Sequence, residues 1–79
     1  MEKDFLKRIV VNPKIMVGKP VIRGTRIAVY EVVGRVAQGQ TFKEITEELD
    51  ITNDDIKAAL MYAKNLLEGE DIFPLISNN

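Results

Sequence analysis

Arg23 and Arg26 flank a Gly24-Thr25 step in the run Lys19-Pro20-Val21-Ile22-Arg23-Gly24-Thr25-Arg26-Ile27. Glycine supports a tight bend between two short extended segments. A bend there sets two guanidinium forks close together, and such forks grip phosphate oxygens bidentately. Lys14 and Lys19 lie on the same predicted ribbon and add two point charges. A second group, Asn53 and Lys57, sits one helical turn apart later in the chain. Asparagine can read the edge of adenine and lysine that of guanine. The six residues together (Lys14, Lys19, Arg23, Arg26, Asn53 and Lys57) have the chemistry of a DNA contact. A plainer origin stands beside it. Ribbon-edge charge blocks aggregation, and Asp54 and Asp55 next to Asn53 would repel phosphates, on which most DNA affinity rests.

Other chemistry has little to work with. The 79 residues contain no cysteine and no histidine, which removes disulfides, thiol nucleophiles, imidazole bases and the common zinc ligands. Catalysis would need paired carboxylates or a lysine in a cleft, and Glu44, Glu47 and Glu48 read instead as a solvated helix face. The expectation is a protein that is not an enzyme and holds no metal or cofactor. No apolar run reaches membrane-spanning length, and the charged start at Met1 to Lys7 is unlike a signal peptide, so the expected location is cytoplasmic. Residues 1–36 carry eight basic and three acidic residues, a net of +5, whereas 37–79 carry three lysines and nine acids, a net of −6. A chain divided this way can meet two different partners, or a second copy of itself.

The elements that must position these residues follow from pattern. Residues 1–6 read as a frayed lead-in. Arg8-Ile9-Val10-Val11 is a short β-branched stretch ended by Asn12-Pro13. Residues 14–19 read as extended, and Val21–Arg23 and Arg26–Ala28 as two short strands about the Gly24 turn. Val29, Val32, Val33, Val36 and Ala37 form one helical stripe, closed by Gly39. Thr41 and Glu44 form a capping box that opens a short helix over about 42–49. Thr52 caps a third helix, with Asp54 and Asp55 in its first turn. Its predicted buried stripe is Ile56, Ala59, Leu60, Ala63 and Leu67, its stop is Gly69, and its outward residues near the start are Asn53, Asp54, Lys57, Ala58 and Met61.

Ile45, Leu49, Ile51, Ile56 and Ala59 have the spacing of a helix-turn-helix. Two residues one turn apart bury the first helix, one plugs the turn, and two more seat the second helix. Asp50 stands where many such turns have glycine, and Thr46 where a small alanine is usual. The expected fold is mainly α: a three-helix, homeodomain-like core over 29–69, preceded by a β ribbon over 8–28 and followed by a tail over 70–79, all in one domain. A chain this small leaves apolar surface exposed, and pairing with another chain is a common remedy. Tyr30, Tyr62, Phe5 and Phe42 can be core or interface by this reading.

The stretch from Gly18 through Arg23-Gly24-Thr25-Arg26-Ile27 resembles the signature of the family called domain of unknown function 433. The likeness continues through Gly39, the Thr41–Glu44 cap, Asp54 to Leu60 and Tyr62-Ala63, to Phe73-Pro74-Leu75. It covers about residues 8–75. Ala28 departs from it, standing where proline is common, and Asp50 stands near a site where a tyrosine-proline pair is often seen. The resemblance implies a trihelical core behind a small ribbon, often as a homodimer. It also implies an antitoxin, the partner of a small PIN-like nuclease toxin, which binds operator DNA with its folded part.

The tail fits the toxin-binding half of that role. Ile72, Phe73 and Leu75 would anchor it, and Glu70 and Asp71 would match a basic or metal-holding nuclease cleft. A different reading of the same residues is a tail folded back over the core. The whole chain likewise admits a second function: a trihelical protein-interaction and dimerisation module that never touches DNA.

Overall fold

The computed structural model describes residues 2–69. The predicted tail, with Glu70, Asp71, Ile72, Phe73 and Leu75, lies outside the described residues. In chain order the elements are α1 (Glu2–Leu6), β1 (Ile9–Val10), a 3-10 turn (Met16–Gly18), β2 (Val21–Ile22), α2 (Val29–Ala37), α3 (Phe42–Leu49) and α4 (Asn53–Gly69). The fold is mainly α, with three helices, α2 to α4, behind a small antiparallel ribbon.

The helix boundaries are set by local chemistry. Gly39, at φ +95°, closes α2. Its N–H donates to Val36 O at 3.0 Å and that of Gln40 to Arg35 O at 3.1 Å, the paired bonds of a Schellman end. Thr41 and Glu44 exchange the two bonds of a capping box, 3.1 Å to the Thr41 hydroxyl and 2.8 Å to the Glu44 carboxylate. Thr52 and Asp55 repeat the device at α4. The Asp55 N–H donates to Thr52 Oγ1 at 3.1 Å, and the Thr52 N–H to Asp55 Oδ2 at 3.0 Å. Each cap satisfies amides that the helix leaves unpaired. Asp50 ends α3 in the left-handed conformation, φ 57° and ψ 47°, the geometry that glycine adopts freely.

The core is aliphatic. Ile22, Val29, Val32, Ile45, Ile51, Ile56 and Ala59 form one buried cluster. Ile51 in the turn between α3 and α4 belongs to it, as the plug predicted from spacing, and Leu49 packs against it from a half-buried position. None of the aromatic residues predicted as core or interface is fully buried.

The structure corrects five readings. The lead-in is helical, because α1 packs on α4. Residues 14–19 are not extended. The Asn12 side chain accepts from the Lys14 N–H at 2.8 Å, and Met16 and Val17 then adopt φ of 51° and 56°. The regular partner of β2 is β1, in the register Ile9 with Ile22 and Val10 with Val21, while the segment before α2 adds only a bridge from Ala28 to Val21. Ala58 is fully buried. It shares a stripe of α4 with Asp55, Tyr62 and Asn65, the side that meets Arg8, Leu6 and Ile9, so α1 takes the place of solvent there. Leu67, predicted in the buried stripe, is 65% exposed, since α4 runs past the helices that could cover it.

Candidate functional site

The Arg23-Gly24 bend is wired from three sides. The Thr25 N–H donates to Ile22 O at 3.0 Å, and Gly24 takes φ +79°, the positive value required at that position of a type II turn. The Thr25 hydroxyl donates to Ile22 O at 2.7 Å and accepts from the Ile27 N–H at 3.0 Å. The Ile22 N–H reaches Ile27 O at 2.9 Å. Arg23 and Arg26 are exposed on either side of this fixed turn. Neither has an ion pair among the described residues.

The turn is connected to the start of α4 through Arg8. The Arg23 N–H donates to Arg8 O at 2.7 Å. The Arg8 guanidinium crosses to α4, with Nη1 on Asp55 Oδ1 at 3.1 Å and Nη2 at 3.6 Å from Asp54 Oδ2. Asp55 is the enclosed member, its side chain 14% exposed, against 52% for Asp54. The two acids expected to repel phosphates therefore share an arginine. Asn53 and Lys57 stand exposed on the same first turns of α4. Sequence reasoning missed Arg8 because its partners lie 47 residues away and no local pattern announces a contact of that range.

The six residues expected to act together divide. Arg23 belongs to the end of the ribbon that Arg8 ties to α4, the helix whose first turns carry Asn53 and Lys57. The antiparallel register puts residues 11–20 at the opposite end, and with them Lys14 and Lys19. Lys19 is occupied there, its Nζ 5.0 Å from the centre of the Tyr30 ring. Arg26 lines a shallow hollow on the ribbon with Val10, Ile15, Val21, Gly24 and Thr25.

A second surface was not predicted. Pro20, Val29, Tyr30, Val33, Tyr62, Ala63 and Leu66 line an almost wholly apolar groove of about 250 Å³ between α2 and α4, with Lys19 at its edge. A neighbouring groove of about 330 Å³ lies between α4 and the α1–β1 segment, lined by Leu6, Ile9, Val11, Tyr62, Asn65 and Leu66. Tyr62 and Leu66 are common to both. They stand one helical turn apart on α4, with Tyr62 half-buried against the core. Tyr30 is 59% exposed and Leu66 48%.

Behind α2 the polar residues are mutually satisfied. Arg35 reaches Glu48 at 2.6 Å, Gln40 at 3.2 Å and Glu31 at 3.3 Å, which ties α2 to α3. The Gln40 amide also donates to Glu48 at 3.1 Å. That hydrogen bond, then Arg35, holds the Glu48 carboxyl below its ordinary pKa. Among the described residues no group of three or more acids is placed to hold a metal ion. No helix of the described residues is long and apolar enough to cross a membrane.

The chain belongs to the family described as "Protein of unknown function (DUF433)", whose model matches residues 9–63. It is similar to "Uncharacterized protein y4eO" of Sinorhizobium fredii (strain NBRC 101917 / NGR234), with 38% identity over 60 residues. That alignment covers 73% of this chain and 27% of the relative, so the chain spans about a quarter of that protein's length. No solved structure matches it.

Proposed function

We propose that this chain is an antitoxin-type regulator that binds operator DNA through the head of α4 and the ribbon turn, and a PIN-like nuclease toxin through a separate surface. The observation that supports the DNA half most directly is the junction at Arg8. It ties the Arg23 turn to the head of α4, which carries Asn53 and Lys57, and it offsets the charge of Asp54 and Asp55 there. In this reading α4 presents its first turns to a major groove, and Arg23 contacts a flanking phosphate. The toxin half rests on the family resemblance. Within it the acidic and apolar pattern of the tail sequence gives the nuclease contact to Glu70, Asp71, Ile72, Phe73 and Leu75. The chain performs no catalysis in this scheme.

A second reading has its own support. The apolar grooves beside Tyr62 suit a protein partner, and a trihelical interaction module would need them without needing DNA. Fluorescence anisotropy with the chain's own upstream duplex and a scrambled duplex, at two salt concentrations, separates the two. A DNA regulator prefers the native duplex and loses affinity with salt, at a log–log slope of about −0.9 per phosphate contact. Arg23→Ala should then lower the slope by about one contact, and Lys14→Ala, at the far end of the ribbon, should leave it unchanged. Absence of binding at low salt would reject the DNA reading and leave the interaction module.

A further inference from the structure

We propose that the groove between α2 and α4 is the seat of this chain's own tail, which turns back after Gly69 and lays Phe73 and Leu75 between Tyr30 and Leu66. The first argument is reach. The α4 wall of the groove is Tyr62, Ala63 and Leu66, and α4 ends at Gly69. Leu66 then lies about 5 Å, and Tyr62 about 10 Å, back along the helix axis from that end. An extended chain advances ~3.3 Å per residue. Residues 70 and 71 suffice for the reversal, and 72 to 75 run the length of the wall. Ten residues follow Gly69, which is more than the path requires.

Composition points to the same seat. Ile72-Phe73-Pro74-Leu75-Ile76 is five apolar residues in a row. Pro74 disfavours the helical region at Phe73, so the run cannot prolong the stripe of α4 and needs another surface to cover it. In an extended segment Phe73 and Leu75 share one face. The groove offers them an almost wholly apolar lining, and both Tyr30 and Leu66 are about half exposed.

Charge selects this groove over its neighbour. The last turn of α4 holds no basic residue, and Glu70 and Asp71 follow directly, where the negative end of the helix dipole disfavours carboxylates. Lys19 is the charged residue at the edge of the groove, and it has no ion pair among the described residues. The neighbouring groove is lined by no cation. A tail tethered this close to its seat also has an effective concentration in the millimolar range, which a separate partner must exceed. The consequence, which rests on the toxin reading above, is regulatory. A nuclease that takes the tail must draw it out of the groove, and its apparent affinity falls by the fraction of tail that is free.

The chain contains no tryptophan, so Phe73→Trp in the full 79-residue chain is a single fluorescent reporter, and Leu75→Trp is a second. The expected emission is blue-shifted and poorly quenched by acrylamide relative to the same variant in urea, and the shift is the same from low- to high-micromolar concentration. Tyr30→Lys and, on the opposite wall, Ala63→Lys should each move the emission to the red with an unchanged helical circular dichroism spectrum. Two walls are used so that a folding defect in one leaves the other informative. Val11→Lys, in the neighbouring groove, should leave the emission blue. Red, freely quenched tryptophan in both reporters, or a blue emission that survives both groove substitutions, overturns the proposal. So does a blue emission lost in Val11→Lys. A blue shift that appears only as concentration rises puts the tail on a second copy and overturns it as well. No nuclease enters the measurement, so its failure leaves the toxin reading standing, and its success does not establish that reading.

Discussion

Asp50 is a place where one side chain and one backbone angle make a quantitative prediction. It closes α3 at φ 57° and ψ 47°, it is exposed, and its carboxylate sits at the negative end of the α3 dipole. A left-handed conformation costs an L-residue roughly 1–2 kcal/mol, less for Asp and Asn, and glycine nothing. The carboxylate at a helix C-terminus costs a further ~0.3 kcal/mol or more. Asp50→Gly removes both, and gives back ~0.4–1 kcal/mol through the freer unfolded chain. The net expectation is stabilisation by about 0.5–1 kcal/mol. Asp50→Asn keeps the conformational tolerance and drops the charge, for a gain of about 0.5 kcal/mol. Asp50→Ala loses the tolerance and should destabilise by about 0.5–1 kcal/mol. Urea unfolding reads this order directly. With a slope near ~1 kcal/mol/M for a chain of this size, the midpoint should rise by about 0.5–1 M for glycine and fall for alanine, with the slope unchanged. An alanine variant as stable as the glycine variant would refute the reasoning, because the left-handed turn would then carry no strain.

Two further predictions concern the core and the α2–α3 tie. Ile56 is fully buried in the main cluster, so Ile56→Ala should cost ~2–5 kcal/mol. That is a large share of the roughly 4–12 kcal/mol expected for a domain of this length, and thermal melting should show a broad or absent transition. Glu48 has its pKa lowered in the folded chain by Gln40 and Arg35. Its contribution to stability is therefore present above its unfolded pKa and is lost as pH falls through its folded pKa. Unfolding midpoints measured through the acid range should drop less steeply for Glu48→Gln than for the wild type, and parallel profiles would exclude Glu48 from that loss.

What could be read in the sequence was local. The Thr41–Glu44 cap and the Thr52 cap are bonds between residues three apart, and the α3 boundaries followed from them. The Val29–Ala37 stripe and the Ile45-to-Ala59 spacing placed α2 and the packed turn. What could not be read depended on distant partners. Five residues of α1 are too few to show a period, and only contact with α4 makes them helical. Ala58 looks solvent-facing by phase until α1 is set against it. Left-handed Met16 and Val17 carry no compositional mark, since neither is a residue that favours positive φ. At the candidate site, residue types alone grouped six positions that the ribbon register separates. Arg8, which ties the Arg23 turn to the head of α4, was indistinguishable from ordinary surface charge. The apolar grooves needed three elements in place before they existed as shapes.

The join between Arg8 and Asp55 means that the stretch of chain shared with relatives and the physical unit are not the same interval. The family match begins at residue 9. The arginine of the ion pair at the head of α4, and the short helix that covers Ala58, both come before it. A version that began at the matched segment would keep the Gly18–Ile27 run and both helix caps and would expose an inner face of its longest helix. The residues ahead of the matched segment act as an outer wall for the long helix inside it.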